Sequence, residues 1–385
     1  MDHLHVTYRL EAAPDAAEAL AEALLLEQTV ETPRRVAERD AFVRENLLGY
    51  IHEIRPDDKE GAQVVLALPL RTASADPSQF LNVLFGNTSL HADVTLEDFD
   101  VPPALHTLFP GPRFGLSGLR ARIGVPTRPL TATALKPVGL SVESLAALCR
   151  TFAEGGIDLI KDDHYLGDHA FCPFEERVRA CQAAVDEVAA RTGHRTLYLP
   201  NLSGTPDQVH WQADLAQQIG VRAVMVAPML LGLPAFYDLT HTRLEVPVLA
   251  HPSFAGSLRI RPETLLGKLF RLFGADAVIF PNYGGRFHFS REECAGIARS
   301  LRADWSPYRP AFPVPAGGMN IERVPELITF FGLDTILLIG GSLLESGEAL
   351  REHTQALVAS VEQAATQILQ PRMDADRATA EERGW

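Results

Sequence analysis

The sequence has few cysteines, no excess of basic residues and no long apolar run, and each lack excludes a class of protein. Its four cysteines form no CxxC pair, so neither a zinc site nor a disulfide framework is expected. The net charge of −14 disfavours nucleic acid and anionic membranes as partners. No apolar run approaches the roughly 18 residues of a membrane-spanning helix, and MDHLHVTYRL lacks a signal-peptide pattern. We therefore expect a cytoplasmic protein.

Composition and local pattern predict a globular protein of two domains. Hydrophobic residues make up 46% of the chain and charged residues 22%, which is ordinary for soluble proteins. Residues 1–115 are expected to form a small α+β domain of ferredoxin-like type, because they contain alternating strand patterns and an amphipathic helix, namely HVTYRLEA, AAEALAEALLLEQTV, IHEIRP and AQVVLALPL.

Residues 116–385 show a regular alternation of apolar strand-length runs and helical patterns. We count eight such runs: LTATALKP, IDLIKDD, RTLYLPN, AVMVAPM, VPVLAHP, DAVIFPN, AFPVPAGG and TILLIGGS. Apolar strands alternating with helices indicate a parallel sheet, and eight units predict a (β/α)8 barrel as the catalytic domain. A doubly wound open sheet is the less favoured alternative, because no GxGxxG motif opens the first strand–helix turn.

Polar side chains follow these predicted strands where each one ends, and in such a barrel the carboxyl ends carry the chemistry. Each group also has an ordinary explanation: a lysine can be the first exposed residue, a histidine can be hydrogen-bonded in the core, an asparagine can cap a helix and an arginine can be solvated. One shared pocket explains the polar residues at all these strand ends better than a separate ordinary explanation for each. The candidates are Lys136, Lys161, Asp163, His164, Asn201, His251 and Arg286.

The stretch KDDH, at the end of the second predicted strand, contains four ionisable groups in succession. Lys161 and Asp163 are two residues apart and share one face of the strand, whereas Asp162 faces the other way. The pair is either a Lys–Asp ion pair at the barrel mouth or part of a site for a hard cation such as Mg²⁺. Lysine supplies an oxygen ligand only if it is modified.

Two glycine pairs follow the seventh and eighth predicted strands. They are tight turns or a phosphate cradle, since backbone N–H groups at these strand ends often bind phosphate in this fold. The spacing therefore predicts a phosphorylated substrate, bound by Gly317, Gly318, Gly340, Gly341 and Ser342.

Seven segments, in order along nearly the whole chain, resemble the RuBisCO large-chain superfamily. GGIDLIKDDH resembles its carbamylated-lysine motif, and LTATALKPVGLS resembles its segment with the catalytic lysine of strand one. The others are LLLEQTVET, FLNVLFGN, GPRFGLSGLRARIGV, PVPAGGMNIERVPELITFFG and ILLIGGSLLESG.

The resemblance implies a role for each matching residue. Lys161 would react with CO2 to form a carbamate, Asp163 would bind Mg²⁺ (or Mn²⁺), and Lys136 would move protons during enolisation. His251 would lie near the substrate, and the glycine pairs would bind phosphate. A partner subunit of a homodimer would supply Glu27, Thr32 and Asn82.

Departures from the family pattern indicate the RuBisCO-like proteins of the form IV branch. His164 stands where the family has a ligating glutamate, Val138 replaces a lysine, and PNYGGRFHFS replaces the loop whose lysine positions CO2. Imidazole suits Mn²⁺ or Zn²⁺ better than Mg²⁺. Two hypotheses follow for His164: it still binds the metal, or it acts as a general acid/base.

The resemblance leaves three classes of function. The favoured one is a metal-dependent lyase or isomerase that forms an enediolate from a phosphorylated keto-sugar or keto-sugar acid. Within it, decarboxylation or C–C cleavage competes with the 5-methylthioribulose-1-phosphate isomerase or enolase chemistry of methionine salvage. An apolar pocket would favour the latter, and Arg286 as a second anchor would favour an acid substrate. A true carboxylase and a non-catalytic regulator are the other two classes.

Overall fold

The computed structural model describes residues 3–12, 14–57, 61–73 and 76–382, which fall into two compact units. The first unit contains the described residues up to Pro110 together with Phe254–Phe273. The second contains Gly111–Ser253 and the described residues from Gly274 onward. The sequence division at residue 115 placed residues 254–273 with the second domain, and the structure differs there. None of the described helices is both long and apolar enough to cross a bilayer.

The strands of both units are numbered in chain order. They are β1 (His3–Leu10), β2 (Tyr50–Asp57), β3 (Gly61–Pro69), β4 (Val94–Phe99), β5 (Leu130–Ala134), β6 (Leu159–Lys161), β7 (Leu197–Leu199), β8 (Asn201–Leu202), β9 (Val224–Val226), β10 (Val248–Ala250), β11 (Ala277–Pro281), β12 (Phe312–Ala316) and β13 (Ile336–Leu338).

The helices are numbered in the same way. They are α1 (Pro14–Thr29), α2 (Arg34–Ala37), α3 (Ala41–Asn46), α4 (Leu70–Ala73), α5 (Pro77–Phe85), α6 (Gly115–Ile123), α7 (Val142–Glu154), α8 (Phe174–Thr192), α9 (Pro206–Ile219), α10 (Pro228–Leu231), α11 (Leu233–Asp238), α12 (Phe270–Leu272), α13 (Arg291–Arg302), α14 (Val324–Phe331), α15 (Gly341–Leu344) and α16 (Leu350–Glu382).

The first unit is built on an antiparallel sheet with strand order β2-β3-β1-β4. Along β1 every second side chain is buried, as the alternating pattern predicts. Helices α1 and α5 pack against this sheet, and the Tyr8 hydroxyl donates to the Leu84 carbonyl oxygen (2.6 Å). The order is that of a ferredoxin-like α+β domain, which confirms the predicted class.

The second unit is a parallel barrel whose hydrogen-bonded order is β7-β6-β5-β13-β12-β11-β10-β9-β8. Strands β7 and β8 are two pieces of one barrel strand, separated by Pro200. The nine segments therefore make eight barrel strands, and each contains part of one of the eight apolar runs. The predicted (β/α)8 barrel is confirmed.

Alternate side chains of the barrel strands fill its interior. The inward set includes Leu130, Ala132, Leu159, Leu197, Leu199, Met225, Leu249, Ala277, Ile279, Phe312, Val314, Ile336 and Leu338. Because side chains alternate along a strand, the same spacing continued to the carboxyl ends brings Lys136, Lys161 and His251 to the inner side. The apolar core thus determines which polar groups face the barrel mouth.

A buried carboxylate anchors β6 at its other end. Asp158 is fully buried and accepts hydrogen bonds from Arg128 Nη1 (2.7 Å), the Thr131 backbone N–H (2.7 Å) and the Thr131 hydroxyl (3.0 Å). A buried carboxylate is stable only when it is paired and hydrogen-bonded in this way. Strands β5 and β6 are therefore fixed to each other where they begin.

Replacing Asp158 with Ala is expected to lower the free energy of unfolding by about 3 kcal/mol, because it removes the buried partner of Arg128. Arg128 would retain the exposed carboxylate of Glu362, 3.5 Å away, and its hydrogen bond to the Pro129 carbonyl oxygen (2.9 Å). Urea denaturation measures the change. Glu187→Ala, which breaks the surface pair of Glu187 with Arg150, is the control. An Asp158→Ala loss no larger than that of the control would contradict the anchoring role.

Candidate active site

Three parallel strands bring ionisable side chains to the carboxyl end of the barrel. Lys136 lies two residues after β5, Lys161 is the last residue of β6, and His251 directly follows β10. Asp163 and His164 continue the chain from β6. The structure thus gathers the predicted cluster within the second unit.

Lys136 and Asp163 form an ion pair across β5 and β6. Lys136 Nζ lies 2.5 Å from Asp163 Oδ2, and the lysine side chain is 42% exposed whereas the carboxylate is 1% exposed. Burial alone would raise the pKa of Asp163, but Lys136 and a hydrogen bond from the Tyr165 backbone N–H (3.0 Å) hold that pKa below its ordinary value. Asp163 is therefore the carboxylate of the site, and Lys136 is its accessible cation.

Lys161 is buried and does not pair with Asp163. Its Nζ donates to the backbone carbonyl oxygen of Asp162 (2.9 Å). Burial lowers the pKa of Lys161 to about 8, opposed by the charge of Asp163 and reinforced by that of Lys136. This amine therefore loses its proton more readily than that of an exposed lysine. The ion pair of Lys161 with Asp163, one of the two alternatives for KDDH, is therefore not formed, and Asp163 pairs with Lys136 instead.

His164 lies between Asp163 and His251. Its Nδ1 is 3.3 Å from Asp163 Oδ1, and its ring stacks on that of His251 with centroids 4.2 Å apart and planes inclined by 13°. Burial lowers the pKa of His164, and Asp163 opposes the shift, while the cations Lys161, Lys136 and Arg286 reinforce it. Two imidazoles in contact favour neutral rings over two charged ones.

The local chain fixes the tautomer of His251. Its Nδ1 accepts hydrogen bonds from the backbone N–H (3.2 Å) and the hydroxyl (2.9 Å) of Ser253. Because a backbone N–H only donates, Nδ1 carries no proton and the neutral ring is protonated at Nε2. Burial lowers the pKa of His251 to about 2, and the charges of Lys161, His164 and Lys136 act in the same direction. His251 can therefore offer an N–H donor over a wide pH range.

Asp162 faces away from the barrel interior, as the alternation predicts. Its carboxylate accepts from Arg177 Nε (3.0 Å), the Tyr198 hydroxyl (2.7 Å) and the Asn201 backbone N–H (3.1 Å). Sequence reasoning missed Arg177 and Tyr198. A short KDDH motif gives no signal for partners that lie 15 and 36 residues further along the chain.

Asn201 contacts the loop after β6. Its side-chain amide donates to the carbonyl oxygens of His164 (3.1 Å) and Leu166 (3.0 Å), and the residue is buried. These bonds give Asn201 a place in the architecture of the site. Its contact with substrate stays a prediction.

The predicted phosphate cradle lies at the ends of β12 and β13. Gly317 and Gly318 adopt left-handed backbone angles (φ 88° and 64°), and a Cβ at Gly318 would lie 2.6 Å from Gly285 Cα. Only glycine fits there. A Cβ at Gly340 or Gly341 would meet no atom within 4 Å, and the Ser342 hydroxyl donates to the Met319 carbonyl oxygen (3.2 Å), which ties the two segments together.

Arg286 lies in the exposed loop after β11. Its guanidinium is 4.9 Å from the centre of the Phe287 ring. Its charge contributes to the lowered pKa of His164, which places it within electrostatic reach of the barrel mouth. The loop thus brings a cation to the site, while its predicted contact with substrate stays a prediction.

The residues expected to serve a partner subunit lie in the first unit. Glu27 Oε1 accepts from Asn87 Nδ2 (2.7 Å), and Gln28, beside Glu27, donates to the Asn82 carbonyl oxygen (3.4 Å). Helices α1 and α5 thus hold Glu27 and Asn82 near each other. Asn82 is exposed, and Thr32 is half-buried just after α1.

Lys161 could join Asp163 and His164 as a ligand of a divalent cation only if the lysine is modified. Within the described part of the chain, no three His, Cys, Asp or Glu side chains are grouped so as to hold a metal ion. Asp163 Oδ2 is buried, and among the described residues it has no aligned hydrogen bond beside its ion pair. Asp163 and His164 supply two donors, and a carbamate on Lys161 would supply the third.

A family model for the catalytic domain of the ribulose bisphosphate carboxylase large chain matches residues 115–278. The chain is 48% identical over 360 residues to ribulose bisphosphate carboxylase-like protein 1 of Rhodopseudomonas palustris, covering 94% of this chain and 98% of that one. It is 46% identical over 366 residues to 5-methylthioribulose-1-phosphate isomerase of Rhodospirillum rubrum, covering 95% and 98%.

Two further similarities extend this pattern. A 2,3-diketo-5-methylthiopentyl-1-phosphate enolase of Geobacillus kaustophilus is 38% identical over 313 residues, covering 77% of this chain and 76% of the enolase. The crystal structure of a Rubisco-like protein from Rhodopseudomonas palustris superposes with a TM-score of 0.87 at 40% identity, covering 94% of this chain and 98% of that one.

The C–H resonances of the His251 ring are expected to stay constant between about pH 5 and about pH 8, since the lowered pKa leaves the ring neutral throughout. Histidine NMR measures this, and His251→Asn assigns the resonances by removing them. A titration midpoint inside that range would contradict the neutral Nε2–H tautomer.

Proposed function

Because this chain belongs to the RuBisCO-like branch of the ribulose bisphosphate carboxylase large-chain family, we propose that it is an enolising enzyme acting on a phosphorylated ketose. CO2 fixation on ribulose bisphosphate is not part of the proposal, because Val138 and His164 replace residues that the carboxylase pattern requires. The observation that carries the proposal is the meeting of Lys136, Asp163 and the neutral His251 at one barrel mouth.

Lys136 is the proposed proton-transfer residue, since it is accessible and paired with a carboxylate. Lys136, an ammonium in its ion pair with Asp163, must first release a proton to solvent. Its amine then takes the proton from the carbon beside the substrate ketone, the C–H electrons form a C=C bond, and the π electrons of the ketone move to its oxygen to give the enediolate. Asp163, 2.5 Å away, then stabilises the ammonium. Return of the proton to the neighbouring carbon completes an isomerisation, and its return to oxygen completes an enolisation.

His251 is proposed to stabilise the oxyanion of that enediolate. Its Nε2–H is the only N–H of the neutral ring, because Nδ1 accepts from Ser253. A fixed donor aimed at developing negative charge lowers the activation barrier without the cost of reorientation. The substrate phosphate is assigned to the backbone around Gly317, Gly318, Gly340 and Gly341. A Cβ at Gly317, Gly340 or Gly341 would meet no atom within 4 Å, which leaves room for the phosphate.

A divalent cation is proposed to be held by Asp163, His164 and a carbamate on Lys161. When bound, it would polarise the substrate carbonyl as a Lewis acid. What supports the carbamate is the pKa of about 8, because only a neutral amine reacts with CO2. The ligands are nitrogen as well as oxygen, so Mn²⁺ is a candidate beside Mg²⁺.

The first substrate to test is 5-methylthioribulose 1-phosphate. The isomerase of Rhodospirillum rubrum, 46% identical over 95% of this chain, carries that name. We assign the alkylthio group to exposed apolar side chains on the loops after β5 and β11, Val138 (42% exposed) and Phe287 (54% exposed). Arg286 also lies in the loop after β11, and its positive charge could bind a carboxylate. A keto-sugar acid is therefore the second candidate substrate.

A homodimer completes the proposal. Glu27, Thr32 and Asn82 are assigned to the active site of the partner subunit, which would explain the exposure of Asn82. Mixing inactive Lys136 and Asn82 variants and measuring regained activity tests this sharing directly.

Lys136→Met is expected to reduce proton exchange on 5-methylthioribulose 1-phosphate at least ~100-fold, since general acid–base catalysis typically contributes that much. NMR measures the exchange as deuterium incorporation from D2O. The same NMR experiment, repeated with keto-sugar acids, detects CO2 release. Lys268→Met is the matched control, because Lys268 pairs with Asp98 at the same 2.5 Å but in the first unit. Exchange retained by Lys136→Met would refute its role, and no exchange on any phosphorylated ketose would refute the proposed reaction.

A lysine carbamate is expected to appear on Lys161 and to increase as the pH rises through about 8 at constant dissolved CO2, as the neutral amine becomes the major form. The carbamate carbon is followed by ¹³C NMR after addition of ¹³C-bicarbonate. Lys161→Ala should remove the signal and Lys136→Met should keep it. A signal that survives in Lys161→Ala places the carbamate elsewhere.

A further inference from the structure

The loop after β6 is held by a second group of buried side chains behind the proposed catalytic residues. We propose that Asp162, Arg177 and Tyr198 form a positioning cluster that sets the places of Lys161, Asp163 and His164. The proposal rests on the function proposed above for the residues that are positioned, whereas the cluster itself is defined by its own contacts.

Asp162 is the centre of this positioning cluster. It stands between Lys161 and Asp163 in the chain, is fully buried and points to the opposite side of the strand. Oδ1 accepts from the Tyr198 hydroxyl (2.7 Å), and Oδ2 accepts from Arg177 Nε (3.0 Å). The backbone carbonyl of Asp162 in turn accepts from Lys161 Nζ (2.9 Å). A change in the backbone at Asp162 therefore displaces the adjoining Asp163 and the acceptor of the Lys161 amine.

Arg177, from α8, connects Asp162 to the far end of the same loop. Its Nη1 donates to the carbonyl oxygens of Gly167 (3.0 Å) and Cys172 (3.0 Å). One guanidinium thus bridges the start, middle and end of the segment from 162 to 172, which contains Asp163 and His164. The fork of a guanidinium makes these bonds together, and a lysine ammonium has no equivalent geometry.

The charge of Arg177 is expensive to bury, which argues for a specific use. The side chain is fully buried, and Nη2 has no hydrogen-bond partner among the residues that the structure describes. Replacing a buried ion pair with apolar residues is often neutral or stabilising, so stability alone is a weak reason for the pair. A need to hold the loop that contains Asp163 and His164 in place is a sufficient reason for burying this pair.

The opposite end of β6 provides an internal comparison. Asp158 and Arg128 form a buried carboxylate–arginine pair there as well, with the Thr131 hydroxyl in the position that Tyr198 has at the other end. That pair holds no proposed site residue. The two pairs have the same chemistry, so a difference between their variants isolates positioning from stability.

The test compares Tyr198→Phe with Thr131→Val, each of which removes a hydroxyl from a buried carboxylate. Tyr198→Phe is expected to shift the ring C–H resonances of His164 and His251, whose stacking depends on the loop. It should also lower kcat for proton exchange on 5-methylthioribulose 1-phosphate about tenfold with KM within about twofold, since small misplacements of catalytic groups reduce rate strongly. Thr131→Val should lower the free energy of unfolding, measured in urea, by as much or more. It should leave the two imidazole resonances and kcat unchanged.

Arg177→Lys provides the second variant, because it keeps the charge and loses the fork. It should increase hydrogen–deuterium exchange of the backbone over residues 163–172 and shift the same two imidazole resonances. Unchanged resonances in both Tyr198→Phe and Arg177→Lys, or equal shifts in Thr131→Val, would overturn the positioning role. If no substrate exchanges with the wild-type enzyme, the proposed reaction fails, while the resonances and the hydrogen exchange still decide the role of the cluster.

Discussion

The burial of Lys161 is the constraint on which the rest of the site depends. A lysine at the end of a barrel strand, almost without solvent, loses the hydration that stabilises an ammonium, and its pKa falls to about 8. Its ammonium donates to the backbone carbonyl of Asp162, whereas the carboxylate of Asp163 pairs with Lys136. The two lysines therefore have different environments: one is an accessible partner of Asp163, and the other is a buried amine with a lowered pKa.

The two ends of the three-residue strand β6 have different roles, one in stability and the other in holding the proposed site. Buried carboxylates stand on both sides of it, Asp158 before the strand and Asp162 after it, and each is satisfied by an arginine and a hydroxyl. The first pair fixes strand to strand where both begin. The second pair fixes the strand to the loop that follows, which contains Asp163 and His164. The same kind of interaction therefore supports the fold at one end and the proposed site at the other.

The sequence predicted what depends on local periodicity, and the rest depends on contacts distant in the chain. Alternation placed Lys161 and Asp163 on one face and Asp162 on the other, and eight apolar runs predicted the eight barrel strands. The pairing of Lys136 with Asp163 follows from the register of β5 and β6, where Ala134 lies opposite Lys161, and no spacing reveals it. Nothing in the sequence around Arg177 distinguishes it from other helical arginines. Residues 254–273 belong to the first unit, although the segments before and after them in the chain belong to the barrel.

The substitution at His164 changes the charge balance of the mouth. A carboxylate there would oppose the cations Lys136, Lys161 and Arg286, whereas an imidazole with a lowered pKa adds no charge. With Asp163 as its anion, the cluster of these residues carries a positive excess within a chain of net charge −14, and such a patch attracts an anionic ligand selectively. Reaction of Lys161 with CO2 would replace a partial positive charge with a negative one. The charge of the site, and hence its affinity for phosphate or for a cation, would then follow the state of that one buried amine.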